Sequence, residues 1–362
     1  MKNKQSLLAE FEKKYNKKFV CKRPFELVEL DMWGNLYLCF PRCNNKSYKA
    51  GNLYEADFED IVTSERAVEF KRSIISSEYK YCDFANCQAP DAALQLSDEL
   101  LFSPEDIVYP SELRLHIDNI CDVRCIMCRN EYILNSKNES KFKEILIPRI
   151  VQMCRNAKVI FMNGNGEVFF SPLAKDLILA ITTEYPDVKF DFCTNGIKCT
   201  KENIHSYNLD GRIKSISFSL HAITEHTYNQ IVKGGNYKKL FENINYIKTL
   251  KEKGDIESVT LNFVVTKLNY KEIPAFQKFV DDNHFSAFYS ALVDNNVMNN
   301  YSDIAIKNPS EQEYKKLSAI LNSDELSKSS VILDNELLEI KNNICNKRNN
   351  IFDLIIKKLS KK

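Results

Sequence analysis

Apolar runs and amphipathic stretches alternate along most of the chain. Segments between the runs carry apolar residues at helical spacing, as at residues 142–153 and 240–250. The strand-like runs lie at residues 113–117, 159–162, 188–193, 213–220, 259–265 and 285–292. Six consecutive strand–helix units predict an α/β fold with parallel strands, either a doubly wound sheet or a partial barrel. In both architectures ligands bind at the C-terminal ends of the strands.

The pattern is different before residue 90. The apolar runs there are short, a Gly34-Asn35 pair between two of them predicts a hairpin, and one helix is predicted over residues 58–73. These few apolar residues cannot form a large core, which favours a bound metal as an additional source of stability. The predicted organisation is an N-terminal helix (1–20), a cysteine-rich domain (21–90), a linker (91–111), a core domain (112–295) and a helical tail (296–362). The basic end of that tail, residues 349–362, is expected to be a capping helix or a contact for a partner or an anionic surface.

Charge and apolar content narrow the function classes. The 362 residues include 50 Lys and Arg against 49 Asp and Glu, so no global field favours nucleic acid as a partner. No apolar run is long enough for a transmembrane segment. The first residues interrupt their apolar positions with charge, unlike a secretory signal, so we expect a cytoplasmic location. Clustered cysteines in a reducing compartment more often bind metal or do chemistry than form disulfides.

Three of the twelve cysteines follow the first predicted strand of the core domain. Cys121, Cys125 and Cys128 lie within eight residues and can hold three corners of a cubane iron-sulfur cluster, which leaves the fourth iron open. A structural zinc site would need a fourth protein ligand, and this loop has none close by in sequence. The pattern therefore favours a cluster over zinc, with a free position for a small chelating molecule.

The segment LHIDNICDVRCIMCRN resembles the opening of the radical S-adenosylmethionine (radical SAM) superfamily. The resemblance continues in order. Residues 163–167 stand at the family's GGEP motif, whose backbone and carboxylate hold the methionine amino group of the cofactor, and residues 194–196 match its TNG. It implies a partial (β/α)6 TIM-type barrel, a 4Fe-4S cluster on the three catalytic cysteines, and S-adenosyl-L-methionine at the open iron. The cofactor-binding residues that it implies are Asn163, Gly164, Gly166, Glu167, Asn195, Ser219 and Lys233.

Lys233 departs from the family pattern. Relatives have an arginine there, which reaches the cofactor carboxylate. Lysine keeps the charge but loses the bidentate geometry, so Lys233 is either a cofactor contact or a solvated cation at a helix end.

The N-terminal cysteines resemble an auxiliary-cluster module. Cys21, twelve residues, Gly34, four residues and Cys39 are similar to the start of a SPASM domain, and Cys82 with Cys87 closes the set. The resemblance implies that these four cysteines bind a second 4Fe-4S cluster, with a structural zinc ribbon as the alternative. Cys43 is a spare that could replace one of the four. The module usually follows the barrel, whereas here it precedes it.

The resemblance also implies an activity. The family cleaves S-adenosylmethionine reductively to a 5′-deoxyadenosyl radical, which abstracts hydrogen from a substrate, with a low-potential donor such as flavodoxin or ferredoxin supplying the electron. Relatives with this module act mostly on peptides or proteins, which predicts a maturase. The alternatives are a dehydrogenase or epimerase of a carbohydrate-type small molecule and, from another class, a non-catalytic iron-sulfur electron-transfer or sensor protein. An epimerase would need a thiol that returns hydrogen, and Cys193, at the end of the third strand, is either that thiol or a packing residue.

Overall fold

The strands and helices come from a computed structural model, which describes residues 19–40, 48–82, 94–96, 103–136, 139–162, 164, 166–294, 301–306 and 311–342. The strands are β1 (Phe19–Cys21), β2 (Leu27–Leu30), β3 (Asn35–Tyr37), β4 (Gly51–Asn52), β5 (Leu94–Leu96), β6 (Glu112–Leu115), β7 (Arg124–Cys125), β8 (Val159–Met162), β9 (Lys189–Thr194), β10 (Ile213–Ser219), β11 (Val232–Lys233), β12 (Ser258–Val265), β13 (Ser286–Ala291) and β14 (Val331–Leu333).

Helices connect most of these strands. The α-helices are α1 (Arg23–Glu26), α2 (Phe58–Thr63), α3 (Glu65–Ile75), α4 (Glu139–Lys141), α5 (Ile147–Met153), α6 (Pro172–Glu184), α7 (Lys201–Ser206), α8 (Glu225–Ile231), α9 (Tyr237–Glu252), α10 (Ile273–Asp282), α11 (Tyr301–Ile304) and α12 (Glu311–Leu321). A π-helical segment, Phe142–Leu146, leads into α5, and short 3-10 turns occupy Cys154–Asn156, Tyr270–Glu272 and Asp324–Ser327. No helix in the described ranges is long and apolar enough to cross a membrane.

The chain folds as two compact units. The first comprises residues 1–120, 135–192 and 206–212. Its strands lie in the order β9-β8-β6-β2-β3-β4, and β2, β6, β8 and β9 are parallel, whereas β3 returns antiparallel to β2. A separate antiparallel pair joins β1 to β5.

The second unit comprises residues 121–134, 193–205 and 213–362. Its parallel strands lie in the order β14-β13-β12-β10. A two-stranded antiparallel ribbon joins β7 to β11. In both units the main strands are parallel and helices connect them, which confirms the predicted α/β fold class.

The six strands predicted for the core domain are confirmed within three residues at each end. They were recognisable because one face of each strand is apolar and buried. On β12, Val259, Leu261, Phe263 and Val265 are at most 1% exposed, whereas the alternate Thr260 and Asn262 are half-buried. On β12 this alternation leaves a partly open face with polar residues.

Four details of the structure differ from the predicted elements. The helix expected over residues 58–73 is two helices, because the Ser64 side chain caps a new start by accepting from the Ala67 N–H. The expected linker contains β5, and the expected helical tail contributes β14, whose Val-Ile-Leu sequence suits a strand. Residues 1–18 and 343–362 lie outside the described residues, and residues 19 and 20 of the expected N-terminal helix belong to β1.

The cysteine-rich segment is also less separate than the sequence suggests. Its strand β2 pairs in parallel with β6, and the His116 N–H donates to the Leu30 carbonyl at 2.9 Å. Leu27, Val28 and Leu30 are at most 3% exposed. A strand buried in this way gains its stability from the sheet of the first unit, in addition to any metal.

Candidate functional site

The loop with Cys121, Cys125 and Cys128 is closed by backbone hydrogen bonds. The Cys121 N–H donates to the Ile133 carbonyl at 2.8 Å, which joins the two ends of the loop. The N–H groups of Cys128 and Arg129 donate to the Cys125 carbonyl at 3.0 and 3.2 Å, so the second and third cysteines share one tight turn. The backbone therefore fixes the three cysteines on one short loop.

The thiols of this loop influence one another. Burial raises the pKa of the Cys125 thiol far above its usual range, and the neighbouring Cys128 and Cys121 raise it further. The guanidinium of Arg129, itself buried, opposes them. Crowded thiols that resist ionisation on their own are deprotonated when they coordinate a metal, because the cation supplies the missing positive charge.

The hydroxyl of Tyr228 indicates whether these residues are suited to an iron-sulfur cluster. Its side chain is 1% exposed, and its hydroxyl finds no hydrogen-bond partner within the described part of the chain. Burial raises the pKa of this hydroxyl, as do Cys125, Asp122 and Cys121, which places it near the loop. An unpaired buried hydroxyl costs about 1–3 kcal/mol. Sulfur atoms of a bound cluster would accept its hydrogen bond, so the donor set fits an iron-sulfur cluster.

The same loop does not have the geometry of a mononuclear site. No three His, Cys, Asp or Glu side chains in the described ranges converge closely enough to hold a single metal ion. A cubane binds each cysteine to a different iron and does not need such convergence.

The loop that follows β8 is packed tightly against the end of β6. A Cβ atom on Gly166 would lie 2.7 Å from the Ile120 carbonyl oxygen and 2.9 Å from Asp118 Oδ1. The Glu167 N–H donates to the same Ile120 carbonyl at 2.7 Å, and the buried Glu167 carboxylate accepts from the Phe169 N–H. Only glycine fits at position 166. Because it has no side chain, the loop packs closely on Ile120 and Glu167 lies beside that residue.

Asp118 connects several segments of the first unit. Its buried carboxylate accepts hydrogen bonds from the hydroxyls of Ser171 at 2.5 Å and Ser136 at 3.0 Å. Ser171 caps α6, and Asp118 and Ser136 precede and follow the cysteine loop in the chain. Desolvation raises the pKa of this carboxyl group, which the two hydroxyls partly offset.

Asn195 lies at the cysteine loop. Its side-chain amide donates to Asp122 Oδ1 at 2.8 Å and approaches Cys121 Sγ at 3.8 Å. Its oxygen accepts from the Ile197 N–H at 3.0 Å, which shapes the turn after β9. The structure thus brings the predicted Asn195 to one of the predicted cluster ligands.

Ser219 and Cys193 lie together at the ends of neighbouring segments in the second unit. Ser219 Oγ and Cys193 Sγ are 4.0 Å apart, and the Asn262 amide donates to Cys193 Sγ at 3.6 Å. The Cys193 thiol therefore lies in polar surroundings rather than in an apolar core.

Lys233 takes part in the β7–β11 ribbon. It pairs with Arg124, and its neighbour Val232 pairs with Cys125. Lys233 Nζ donates to the Asn229 carbonyl in α8 at 3.1 Å. This contact is that of a cation at a helix C-terminus, one of the two roles that the sequence leaves open.

The predicted auxiliary ligands Cys21, Cys39 and Cys82 are all half-buried in the first unit. Cys21 ends β1, and the Cys82 N–H donates to the Tyr79 carbonyl at 3.0 Å. The fourth predicted ligand, Cys87, and the spare Cys43 lie outside the described residues, as does the predicted cofactor contact Asn163.

Sequence reasoning missed Asp118, Asp122 and Tyr228. Asp118 and Asp122 lie next to the cysteine motif, but a carboxylate beside a loop has no spacing that marks its role. Tyr228 follows the apolar pattern of α8, and only its unpaired hydroxyl distinguishes it from a core tyrosine.

Family models match both parts of the chain. The model described as the radical SAM superfamily matches residues 116–280. The model described as an iron-sulfur cluster-binding domain, SPASM, matches residues 21–88. Both resemblances seen in the sequence are thereby confirmed. No curated protein is similar enough to be matched to the chain.

Solved structures show weaker similarity. The crystal structure of archaeal TYW1 is 18% identical, with 54% of this chain and 67% of that chain covered and a TM-score of 0.31. The crystal structure of BtrN in complex with AdoMet and 2-DOIA is 12% identical, with 61% and 85% covered and a TM-score of 0.29. TM-scores below 0.5 do not establish a shared fold, so the family of the chain follows from the two family models.

Proposed function

Because the chain is a radical SAM enzyme with an N-terminal SPASM domain, we propose that it abstracts a hydrogen atom from a peptide or protein substrate, as a maturase does. The closed loop of Cys121, Cys125 and Cys128, with the unpaired hydroxyl of Tyr228 beside it, supports the radical reaction. The SPASM domain supports a peptide or protein substrate, because relatives with this domain act mostly on peptides or proteins. A low-potential donor such as flavodoxin or ferredoxin would supply the electron, and the proposed location is the cytoplasm.

The three cysteines of the loop would hold the catalytic 4Fe-4S cluster. When bound, the cluster and S-adenosylmethionine supply the one-electron chemistry that generates the radical of this family. Cys21, Cys39, Cys82 and Cys87 would hold the auxiliary cluster, which the SPASM domain implies.

The other residues of the site would bind and orient the cofactor. Glu167 is buried and can pair with the methionine ammonium, while Gly164 and Gly166 let the backbone approach it. Asn195 would contact the cofactor or cluster from the turn after β9, and Ser219 would contact the ribose. Lys233 is the weakest of these contacts because its ammonium already binds a helix carbonyl.

A carbohydrate-type substrate is the second candidate, and one observation favours it. On β10 and β12, Ser217, Ser219, Thr260 and Asn262 form a half-buried polar face, in which Ser217 pairs with Thr260 and Ser219 with Asn262. Hydroxyl and amide groups of this kind suit a hydroxylated small molecule. In that case the enzyme would act as a dehydrogenase, or as an epimerase with Cys193 returning the hydrogen.

Turnover of the cofactor tests the enzyme proposal. The chain is reconstituted anaerobically with iron and sulfide, reduced with dithionite and given S-adenosylmethionine, and 5′-deoxyadenosine is measured. We expect 5′-deoxyadenosine from the native chain and none from Cys125→Ala. If the native chain makes no 5′-deoxyadenosine above the level of Cys125→Ala, the proposal is contradicted and a non-catalytic iron-sulfur protein is favoured.

Iron counting controls this experiment. The native chain is expected to hold about eight irons and Cys125→Ala about four, because each cubane holds four and the variant keeps the auxiliary cluster. About four irons and one zinc in the native chain would show that the N-terminal cysteines bind zinc and not an auxiliary cluster.

A further inference from the structure

Four neighbouring strands of the first unit place one residue each in a row across their open face. Glu29, Arg114, Phe161 and Asp191 are register partners on β2, β6, β8 and β9. All four are half-buried, whereas their strand neighbours on the opposite face, such as Leu113, are buried. The row is therefore open to a ligand on one side.

Two aromatic rings, one of them from the row, pack against Arg114. Its guanidinium carbon is 4.4 Å from the centroid of the Phe40 ring and 4.7 Å from that of Phe161. Its Nε donates to Glu112 Oε1 at 3.2 Å. This is the one hydrogen bond that the Arg114 side chain makes among the described residues. Two aromatic rings and Glu112 thus contact the guanidinium. Its two terminal amino groups have no hydrogen-bond partner among the described residues, and their fork matches the two oxygens of a carboxylate.

The charges around Arg114 select among anions. Arg23 lies over the same Phe40 ring, at 4.6 Å, and adds a second cation. Glu29 and Asp191 lie on the same row, and Glu112 pairs with Arg114 itself. A doubly charged phosphate would be repelled by three carboxylates, whereas a singly charged carboxylate meets less repulsion and still gains the bidentate contact.

The site lies close to the predicted cofactor loop. His116 lies two residues beyond Arg114 and one residue after the end of β6, about 7 Å further along the chain and on the same face. Its Nε2 is 3.0 Å from Glu29 Oε1, and a Cβ atom on Gly164 would lie 3.3 Å from its Nδ1. A molecule bound at Arg114 would therefore lie close to the loop that contains Gly164 and Glu167.

We propose that Arg114, packed against Phe40 and Phe161, binds a carboxylate of the substrate. The inference rests on the proposed function, because it assigns the bound molecule to the radical reaction. It also gives the SPASM domain a second role: Phe40, next to the predicted ligand Cys39, and Glu29 come from that domain and shape the substrate site.

Calorimetric titration of the anaerobically reconstituted holoenzyme, with S-adenosylmethionine present, tests the proposal. The probes are acetyl-Gly-Glu-Gly amide, its Gln counterpart, glucuronate, glucose and inorganic phosphate. We expect the acidic peptide or glucuronate to bind at least tenfold more tightly than its neutral counterpart, and which of them does so identifies the source of the carboxylate. We expect Arg114→Gln and Arg114→Lys both to remove this preference, because lysine keeps the charge but lacks the fork.

Controls separate the site from the fold. Arg72→Gln changes an exposed arginine that pairs with Glu105 at 2.8 Å, and it should leave the titrations unchanged. Iron content and 5′-deoxyadenosine are measured on every preparation. If the native holoenzyme makes 5′-deoxyadenosine but does not prefer the carboxylates, or prefers phosphate, the Arg114 proposal is overturned while the radical SAM function stands. A preference that survives in Arg114→Gln overturns it as well.

Discussion

Tyr228 is the buried polar residue whose partner the described part of the chain does not supply. It lies in α8, and a Cβ atom on Gly235 would lie 2.7 Å from its hydroxyl oxygen, so the hydroxyl is close to the turn after the β7–β11 ribbon. Cys125 lies in the same ribbon, so in the proposed cluster site the hydroxyl would donate to a cluster sulfur. Hydrogen bonds to sulfur help to set the reduction potential of such clusters.

Tyr228→Phe is expected to shift the midpoint potential of the catalytic cluster to a more negative value and to leave the iron content unchanged. The reason is that the phenyl ring fills the same space but cannot donate to a sulfur that carries more negative charge in the reduced state. A redox titration monitored by electron paramagnetic resonance measures this shift. Tyr314→Phe, in α12, serves as the matched control. An unchanged potential in Tyr228→Phe would exclude the hydrogen bond.

His221, which follows the C-terminal end of β10, has a structural role. Its Nδ1 accepts from the Val264 N–H at 3.2 Å, and its carbonyl accepts from the Asn269 amide at 2.8 Å. Burial lowers the pKa of His221 to about 4. The ring is therefore neutral at physiological pH, when it accepts the hydrogen bond from Val264.

The lowered pKa of His221 predicts a pH dependence of stability. The unfolded chain takes up a proton at this residue near pH 6.5 and the folded chain only near pH 4, so the free energy of unfolding falls as pH drops through this window. The contribution reaches about 3 kcal/mol, at about 1.4 kcal/mol for each unit of pKa. Urea unfolding at pH 7, 6 and 5 measures it, and His221→Asn should show a shallower fall. Parallel curves for the two chains would contradict this role.

At the scale of the elements, the loops after β6 and β8 carry the site. Asp118 binds the N-cap serine of α6 and Ser136, and Gly166 lets the following loop pack on the Ile120 carbonyl. These contacts fix where Glu167 lies before any ligand binds. Preorganisation of this kind lowers the entropic cost of binding the cofactor.

Gly166→Ala is expected to weaken S-adenosylmethionine binding at least tenfold and to leave the iron content near that of the native chain. The added methyl group would overlap the Ile120 carbonyl oxygen at 2.7 Å, so the Glu167 loop must move away. Equilibrium dialysis with labelled S-adenosylmethionine measures the change. Gly211→Ala is the control, since no atom lies within 4 Å of a Cβ placed there, although its φ of +65° also disfavours alanine. Equal affinities of Gly166→Ala and the native chain would contradict the packing argument.

At the scale of the whole molecule, local patterns predict much of the fold. The six core strands could be found because each has one apolar, buried face, and the Gly34-Asn35 hairpin because its turn chemistry is local. The parallel pairing of β2 with β6 could not be found, because it joins residues 27–30 to residues 112–115 and no local pattern encodes that distance. The same holds for β14, which lies in a segment of otherwise helical pattern.

The site divides in a similar way. The cysteine motifs could be recognised because metal ligation requires fixed residue types at fixed spacing. Arg114 and Tyr228 have no such spacing: the first depends on rings from two other segments, and the second on an unpaired atom that only packing reveals. The proposed substrate contact of Arg114 therefore rests on the structure, whereas the cofactors could be predicted from the sequence.

We infer that Cys121, Cys125 and Cys128 hold a cluster with an open iron, which S-adenosylmethionine would chelate. Electron–nuclear double resonance of the dithionite-reduced holoenzyme, with S-adenosylmethionine carrying 15N in its amino group, tests this inference. We expect a 15N hyperfine coupling to the cluster in the native chain and no coupling in Cys125→Ala. A fully reconstituted native chain that binds the labelled cofactor without any such coupling would contradict it.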